Sequence, residues 1–153
     1  MAYSNEKGLI MRTNAQTKLT NTVTGAVIVL SDSLYPEGEH DWSAIVSNTK
    51  YALDGTMIVE QSERKAGRPY TMQAPSGHGV LSRATVNALK AERDKLGATF
   101  WLDYLADGQV KRVKVMFDTT AEAINATPIK GSTSPSLTDY YNVTLRFLEI
   151  PSV

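Results

Sequence analysis

A chain of 153 residues with 42% hydrophobic and 21% charged residues has the composition of one folded domain rather than of a disordered tract. Sixteen Lys and Arg balance sixteen Asp and Glu, so no global field draws the chain onto nucleic acid or an anionic membrane. The absence of cysteine excludes disulfides, thiolate nucleophiles and cysteine-ligated zinc or iron–sulfur centres.

Residues 1–24 are rich in Asn, Thr, Lys and Ser and carry one apolar cluster, Leu9-Ile10-Met11. This stretch is read as an N-terminal arm, with that cluster as a hydrophobic anchor. A Thr-rich edge strand over residues 18–24 is suited to adding to a neighbour's sheet. The first residues lack an apolar h-region, and the longest apolar run, residues 26–30, falls far short of the roughly 20 residues a membrane helix needs. The expectation is a chain neither exported by a signal peptide nor set in a bilayer, with one β-rich domain over residues 25–153.

Residues 26–30, Ala-Val-Ile-Val-Leu, are short and β-branched and predict a buried strand. A loop follows over residues 35–41, and Asp54-Gly55-Thr56 is a turn signal leading into a strand at Met57-Ile58-Val59-Glu60. Ala66-Gly67-Arg68-Pro69 breaks the chain before another strand at Tyr70-Thr71-Met72. The best-marked element is a helix over about residues 82–96. Ser82 is a favoured N-cap, Leu81 and Val86 form a hydrophobic staple, and Gly97 suits the C′ position. Val86, Leu89, Arg93 and Leu96 then form a narrow stripe for docking on a sheet.

Beyond Gly97 the period changes to two. Phe100, Leu102 and Tyr104 alternate with polar neighbours, Ala106-Asp107-Gly108 turns the chain, and Val113, Val115 and Phe117 alternate in return. Residues 123–129 predict a strand that Pro128 confines to an edge or a strand end. After a Ser-rich loop, Tyr141, Val143, Leu145 and Phe147 alternate with Asn142, Thr144, Arg146 and Leu148, the clearest strand of all. Together these elements predict a mainly β fold of about eight strands: an antiparallel β-sandwich or barrel with a single flanking α-helix.

Candidates for chemistry are few. His40 lies in the acidic run Glu37-Gly38-Glu39-His40-Asp41. A metal site with His usually recruits a second close ligand on a regular element, so a solvated turn is the favoured reading. His78, in Ser76-Gly77-His78-Gly79, does not match the nucleophile elbow G-x-S-x-G, and its glycines mark a turn before the helix. No phosphate-cradling glycine motif occurs. The run from Glu63 through Arg64, Lys65 and Arg68 to Tyr70 mixes both charge signs, and with zero net charge it reads as a solvated turn or a subunit contact rather than a nucleic-acid site. No catalytic group, cofactor or metal ligand is assigned.

An ordered set of segments resembles small tail and baseplate proteins of tailed bacteriophages, of the tail-tube or distal-tail kind. The set runs Asp54-Gly55-Thr56, Ala66-Gly67-Arg68-Pro69-Tyr70-Thr71, and Leu81-Ser82-Arg83-Ala84-Thr85-Val86-Asn87-Ala88-Leu89. It continues through Gly97-Ala98-Thr99-Phe100, Val113-Lys114-Val115-Met116-Phe117 and Ala126-Thr127-Pro128-Ile129 to residues 139–148. The resemblance implies a virion structural protein made in the host cytoplasm. It would be non-enzymatic and free of cofactors, associating with itself in a ring and with other tail or baseplate proteins. Membrane and specific nucleic-acid partners are not expected. Candidate contact residues are Leu9, Ile10, Met11, Arg68 and Tyr70. The competing reading is a β-sandwich binding module for a receptor or carbohydrate, with Trp42, Tyr35 and the acidic loop as its site. A hydrolase using His40 or His78 is the weaker third.

Overall fold

The computed structural model describes residues 16–75, 78, 80–131 and 133–151. Five strands open the order: β1 (Lys18–Asn21), β2 (Val27–Val29), β3 (Tyr35–Pro36), β4 (Ile45–Tyr51) and β5 (Met57–Glu63). Then come β6 (Pro69–Gln73), β7 (Val80–Ser82), the helix α1 (Arg83–Arg93), β8 (Phe100–Ala106), β9 (Gln109–Phe117), β10 (Ile124–Pro128) and β11 (Tyr140–Glu149). The fold is mainly β with a single helix among the described residues, and every strand pair is antiparallel. The main sheet has the order β2-β1-β8-β9-β11-β6-β3 and is not closed, while β4 and β5 form a separate two-stranded ribbon.

Strand β11 organises the domain. Its first half pairs β7 and β10, and its second half pairs β6 and β9. Tyr141, Val143, Leu145 and Phe147 all point into the core, as their alternation predicts. Phe147 lies 4.9 Å from Phe117, which meets Phe100 edge-on at 5.3 Å, so the ends of three neighbouring strands share one aromatic cluster. The β8–β9 hairpin turns on Asp107 (φ 54°) and Gly108 (φ 73°). Positive φ at both central residues is the type I′ geometry whose twist matches the strands, and Asp-Gly supplies it. Pro128 closes β10, which pairs with β11 alone, as a residue without an amide donor requires.

Ser82 caps α1 as expected, its Oγ accepting from the Thr85 amide at 3.4 Å, and the staple residues Leu81 and Val86 are both buried. The helix packs against β2, β7 and β10. It ends at Arg93, short of residue 96, and Leu96 is fully exposed. The Asp94 amide donates back to the carbonyls of Lys90 and Glu92 and closes the last turn early. Glu92, one turn before Leu96, is the last buried residue of the docked face. Its carboxylate accepts from Asn21 Nδ2 at 2.8 Å and from Lys95 Nζ at 2.7 Å, tying helix to β1. A period-3.6 count finds an apolar stripe, but it does not register a carboxylate buried with its partners.

Two further expectations are corrected. Residues 26–30 do not form a fully buried strand: β2 is an edge strand, with Val27 and Val29 facing outward and Ile28 and Leu30 turned to the core. Residues 18–21 are not an edge strand available to a neighbour, because β1 pairs β2 on one side and β8 on the other, with Leu19 buried. Residues 16–24 therefore belong to the domain, and the boundary expected at 24 moves towards the N-terminus. The remainder of the expected arm, including Leu9, Ile10 and Met11, lies outside the described residues. Beyond the roughly eight strands expected, β3, β4 and β7 are additional. Two of these, β3 and β7, are two or three residues long and leave no periodic trace.

Leu89 is 0% exposed on the docked face, so Leu89→Asp should cost several kcal/mol by losing apolar contacts and burying an unpaired charge. Lys90→Ala, on the exposed face, should change stability by less than about 0.5 kcal/mol. Equal urea midpoints for the two variants would contradict this docking. A pH effect follows from Glu92. Burial raises its pKa, but hydrogen bonds from Lys95 and Asn21 and the Lys95 charge outweigh it and hold the carboxyl below the ordinary 4.5. A depressed folded value means that its contribution is full above 4.5 and fades as the pH falls through the lowered value. The stability gap between wild type and Glu92→Gln should narrow on acidification through that window, and a gap that widens would refute the assignment.

Candidate assembly interface

Strands β4 and β5 pair over seven residues each, from Ile45↔Glu63 to Tyr51↔Met57, and every one of the fourteen is exposed. At about 3.3 Å per residue the ribbon extends roughly 23 Å. Its tip is a three-residue loop. The Gly55 amide donates to Ala52 O, Gly55 takes φ 90°, and Asp54 Oδ1 accepts from the Thr56 amide, the three-residue hairpin geometry with glycine in the left-handed position. The Asp54-Gly55-Thr56 signal in the sequence is thus the tip of this arm.

The two faces of the ribbon differ. One carries Ile45, Thr49, Tyr51, Met57 and Val59, with Ser47 and Gln61 bonded across the strands at 3.0 Å. The other carries Val46 and Ile58 beside the Lys50–Glu60 ion pair at 3.2 Å. Leu53, next to the tip turn, is fully exposed, and Tyr51 is 73% exposed. Both faces of the exposed ribbon thus carry large apolar side chains, and clustered exposed apolar groups are a feature of contact surfaces.

The arm is held at its base by stacked rings and guanidinium groups. Arg64 lies 6.0 Å and Arg68 5.8 Å from the Trp42 ring, and Arg68 also lies 4.9 Å from the Tyr70 ring. Arg68 Nη2 donates to Glu39 O at 2.7 Å, fixing the acidic loop to the same guanidinium. The Arg64 amide donates to Ala44 O at 2.7 Å, continuing the ladder below Ile45. Tyr70 is 3% exposed and tilts against Tyr104 at 5.9 Å. Burial, with Tyr104 nearby, pushes its phenol well above the ordinary tyrosine range, so it is a neutral core residue.

Of the expected contact residues, Arg68 stands at the arm's base and is half-buried. Tyr70 is placed in the core beneath it rather than on a contact surface. The strand β4, half of the arm, was missed by the sequence reading. Its signal lies in Ile45-Val46-Ser47-Asn48-Thr49-Lys50-Tyr51, a β-prone run that mirrors Met57-Ile58-Val59 across Asp54-Gly55. Tyr35 is half-exposed on β3 opposite Gln73, while Trp42 is engaged by its two arginines. His40 and His78 are exposed, and Ser76, Gly77 and Gly79 lie outside the described residues. No group of three or more His, Cys, Asp or Glu able to hold a metal occurs among the described residues. No helix among them is long and apolar enough to cross a membrane. An open groove of about 280 Å³ runs beside the end of α1, between Leu96, Phe100 and Met116.

Comparison with known protein families, with curated proteins and with solved structures found no match.

If the stacked arginines hold the arm, Trp42→Ala should speed hydrogen exchange at the Arg64 amide while leaving the Leu145 amide in the core unchanged. Two such contacts are worth about 0.5–1 kcal/mol each at exposed sites, a several-fold change in opening. Unaltered protection at Arg64 would show that the arm is fixed by its ladder alone.

Proposed function

We propose that the chain is a non-enzymatic structural subunit of a phage tail or baseplate, self-assembling into a ring near the tail tip. It is made in the host cytoplasm and works in the virion. The observation that carries the assembly reading is the arm of residues 45–63. It is a roughly 23 Å ribbon whose two strands pair only with each other and which exposes seven large apolar side chains, Ile45, Val46, Tyr51, Leu53, Met57, Ile58 and Val59. A two-stranded ribbon alone in water is marginally stable, and exposed apolar strands invite pairing with other chains. Covering such an arm on a neighbouring subunit would remove apolar surface at about 25 cal/mol per Å². The phage reading is supported by the ordered sequence resemblance over residues 54–150, which agrees with a mainly β domain bearing one helix.

The test is assembly of the full chain with and without its arm. Ile45 and Glu63 are register partners, so an Asn-Gly dipeptide can join them and replace residues 46–62. The shortened chain should melt within a few degrees of wild type. Sedimentation and negative-stain imaging should then find rings or tubes of wild type and monomers of the variant. A wild-type chain that stays monomeric at its highest soluble concentration would end the self-assembly reading. Antibody labelling of virions away from the tail would end the phage assignment.

A further inference from the structure

The zero net charge conceals a strong separation. Residues 37–63, the acidic loop and the arm, hold six carboxylates (Glu37, Glu39, Asp41, Asp54, Glu60, Glu63) against one cation, Lys50, for a net charge of −5. Since the whole chain sums to zero, everything else carries +5, of which Arg64, Lys65 and Arg68 follow the arm directly, Arg64 and Arg68 being engaged with Trp42 at its base. Of those six carboxylates only Glu60 enters an ion pair among the described residues.

Part of the compensating charge lies on the outer face of the main sheet. Register places Val29, Lys18, Asp103 and Arg112 in one row and Val27, Thr20, Trp101 and Lys114 in the next. Asp103 is buried and held by Arg112 in two hydrogen bonds, of 2.7 and 3.0 Å. That pair cancels and leaves Lys18 and Lys114 without an ion-pair partner among the described residues. In the second row stands Trp101, with Arg112 at 5.6 Å and Lys114 at 5.9 Å from its ring. Val27 and Val29 extend the face with half-exposed apolar groups. A flat surface of one tryptophan, two valines and two unpaired lysines matches the arm in both of its properties, exposed apolar groups and unpaired carboxylates.

We propose that the occupant of this face is a second copy of the chain, whose acidic arm lies across Trp101 between Lys18 and Lys114. This rests on the self-assembly reading and adds to it the receiving surface. Arm and receiving face are different patches of the chain, and in the ring of the self-assembly reading the contact is head-to-tail. It leaves each copy with one arm and one face to offer, which closes a ring or propagates a filament.

Head-to-tail charge pairing has a distinctive test. Two full-length variants are made, one making the arm basic at and beside its unpaired carboxylate (Gln61→Lys with Glu63→Lys, on one face of the ribbon) and one reversing the face (Lys18→Glu with Lys114→Glu). Each alone juxtaposes like charges and should raise the association Kd about tenfold or more, with unchanged melting showing that both fold. An equimolar mixture should recover assembly, because each variant's arm then meets the other's face with opposite sign. Wild-type assembly should also weaken as salt is raised. If the face variant assembles like wild type while removal of the arm blocks assembly, the arm docks elsewhere and this inference fails while the self-assembly reading stands. If both variants are impaired but their mixture is not rescued, the pairing is refuted. A monomeric wild type overturns both readings. Binding of a single-stranded oligonucleotide that the face variant abolishes, with assembly intact, would reassign the face to nucleic acid.

Discussion

The constraint on which the structure depends is that β11 must pair with four strands while burying every second side chain. A ten-residue strand reaches about 33 Å, long enough for β7 and β10 to occupy one half and β6 and β9 the other. A one-residue slip would turn Tyr141, Val143, Leu145 and Phe147 outward together. The register of all four partners is therefore fixed by one hydrophobic alternation. The sheet's inner side is covered by α1, which docks through the buried Leu89 and Val86.

The arm is coupled to that core by a chain of contacts. Phe147 is the register partner of Tyr70, Tyr70 packs against Tyr104, and Arg68 lies over the Tyr70 ring while also facing Trp42. A neutral phenol beneath a guanidinium gives a cation–π contact without an ionised partner to neutralise it. The same guanidinium donates to the Glu39 carbonyl, which holds the acidic loop against the base of the arm. An exposed ribbon anchored in this way presents a defined direction to a partner. That lowers the ordering entropy lost on association compared with a free tail.

Legibility from sequence followed the physics of each element. The strands around Phe100, Val115 and Leu145 were readable because one side of each is buried, which imposes period two. The Asp107-Gly108 turn was readable because few dipeptides tolerate two positive φ angles. The N-cap at Ser82 was local and therefore visible. What failed depended on distant partners. The helix stops at Arg93, and Glu92 is buried because Asn21 on β1 supplies a donor 71 residues away. Residues 18–21 looked like a free edge strand because nothing in them announces that β2 and β8 flank them. The candidate interface was the least legible. In the arm neither face is buried by its own chain, so no alternation marks β4, and its apolar residues lie on both sides of the ribbon.

The same reasoning changes what the composition means. A net charge of zero excludes steering by the molecule as a whole, but it places no limit on the separation of charge within it. Here 27 consecutive residues hold −5, and the pairing of Asp103 with Arg112 on the main sheet removes the carboxylate whose strand positions neighbour Lys18 and Lys114. Exposed charges interact over about 8 Å at physiological ionic strength, so surface charges farther apart than that scarcely sense one another. They act when a second surface comes into contact. If the arm docks as proposed, a chain arranged in this way is neutral at a distance and complementary to a second copy at short range. The expected consequence is selectivity for its own copies, with apolar burial supplying affinity and the charge pattern setting register.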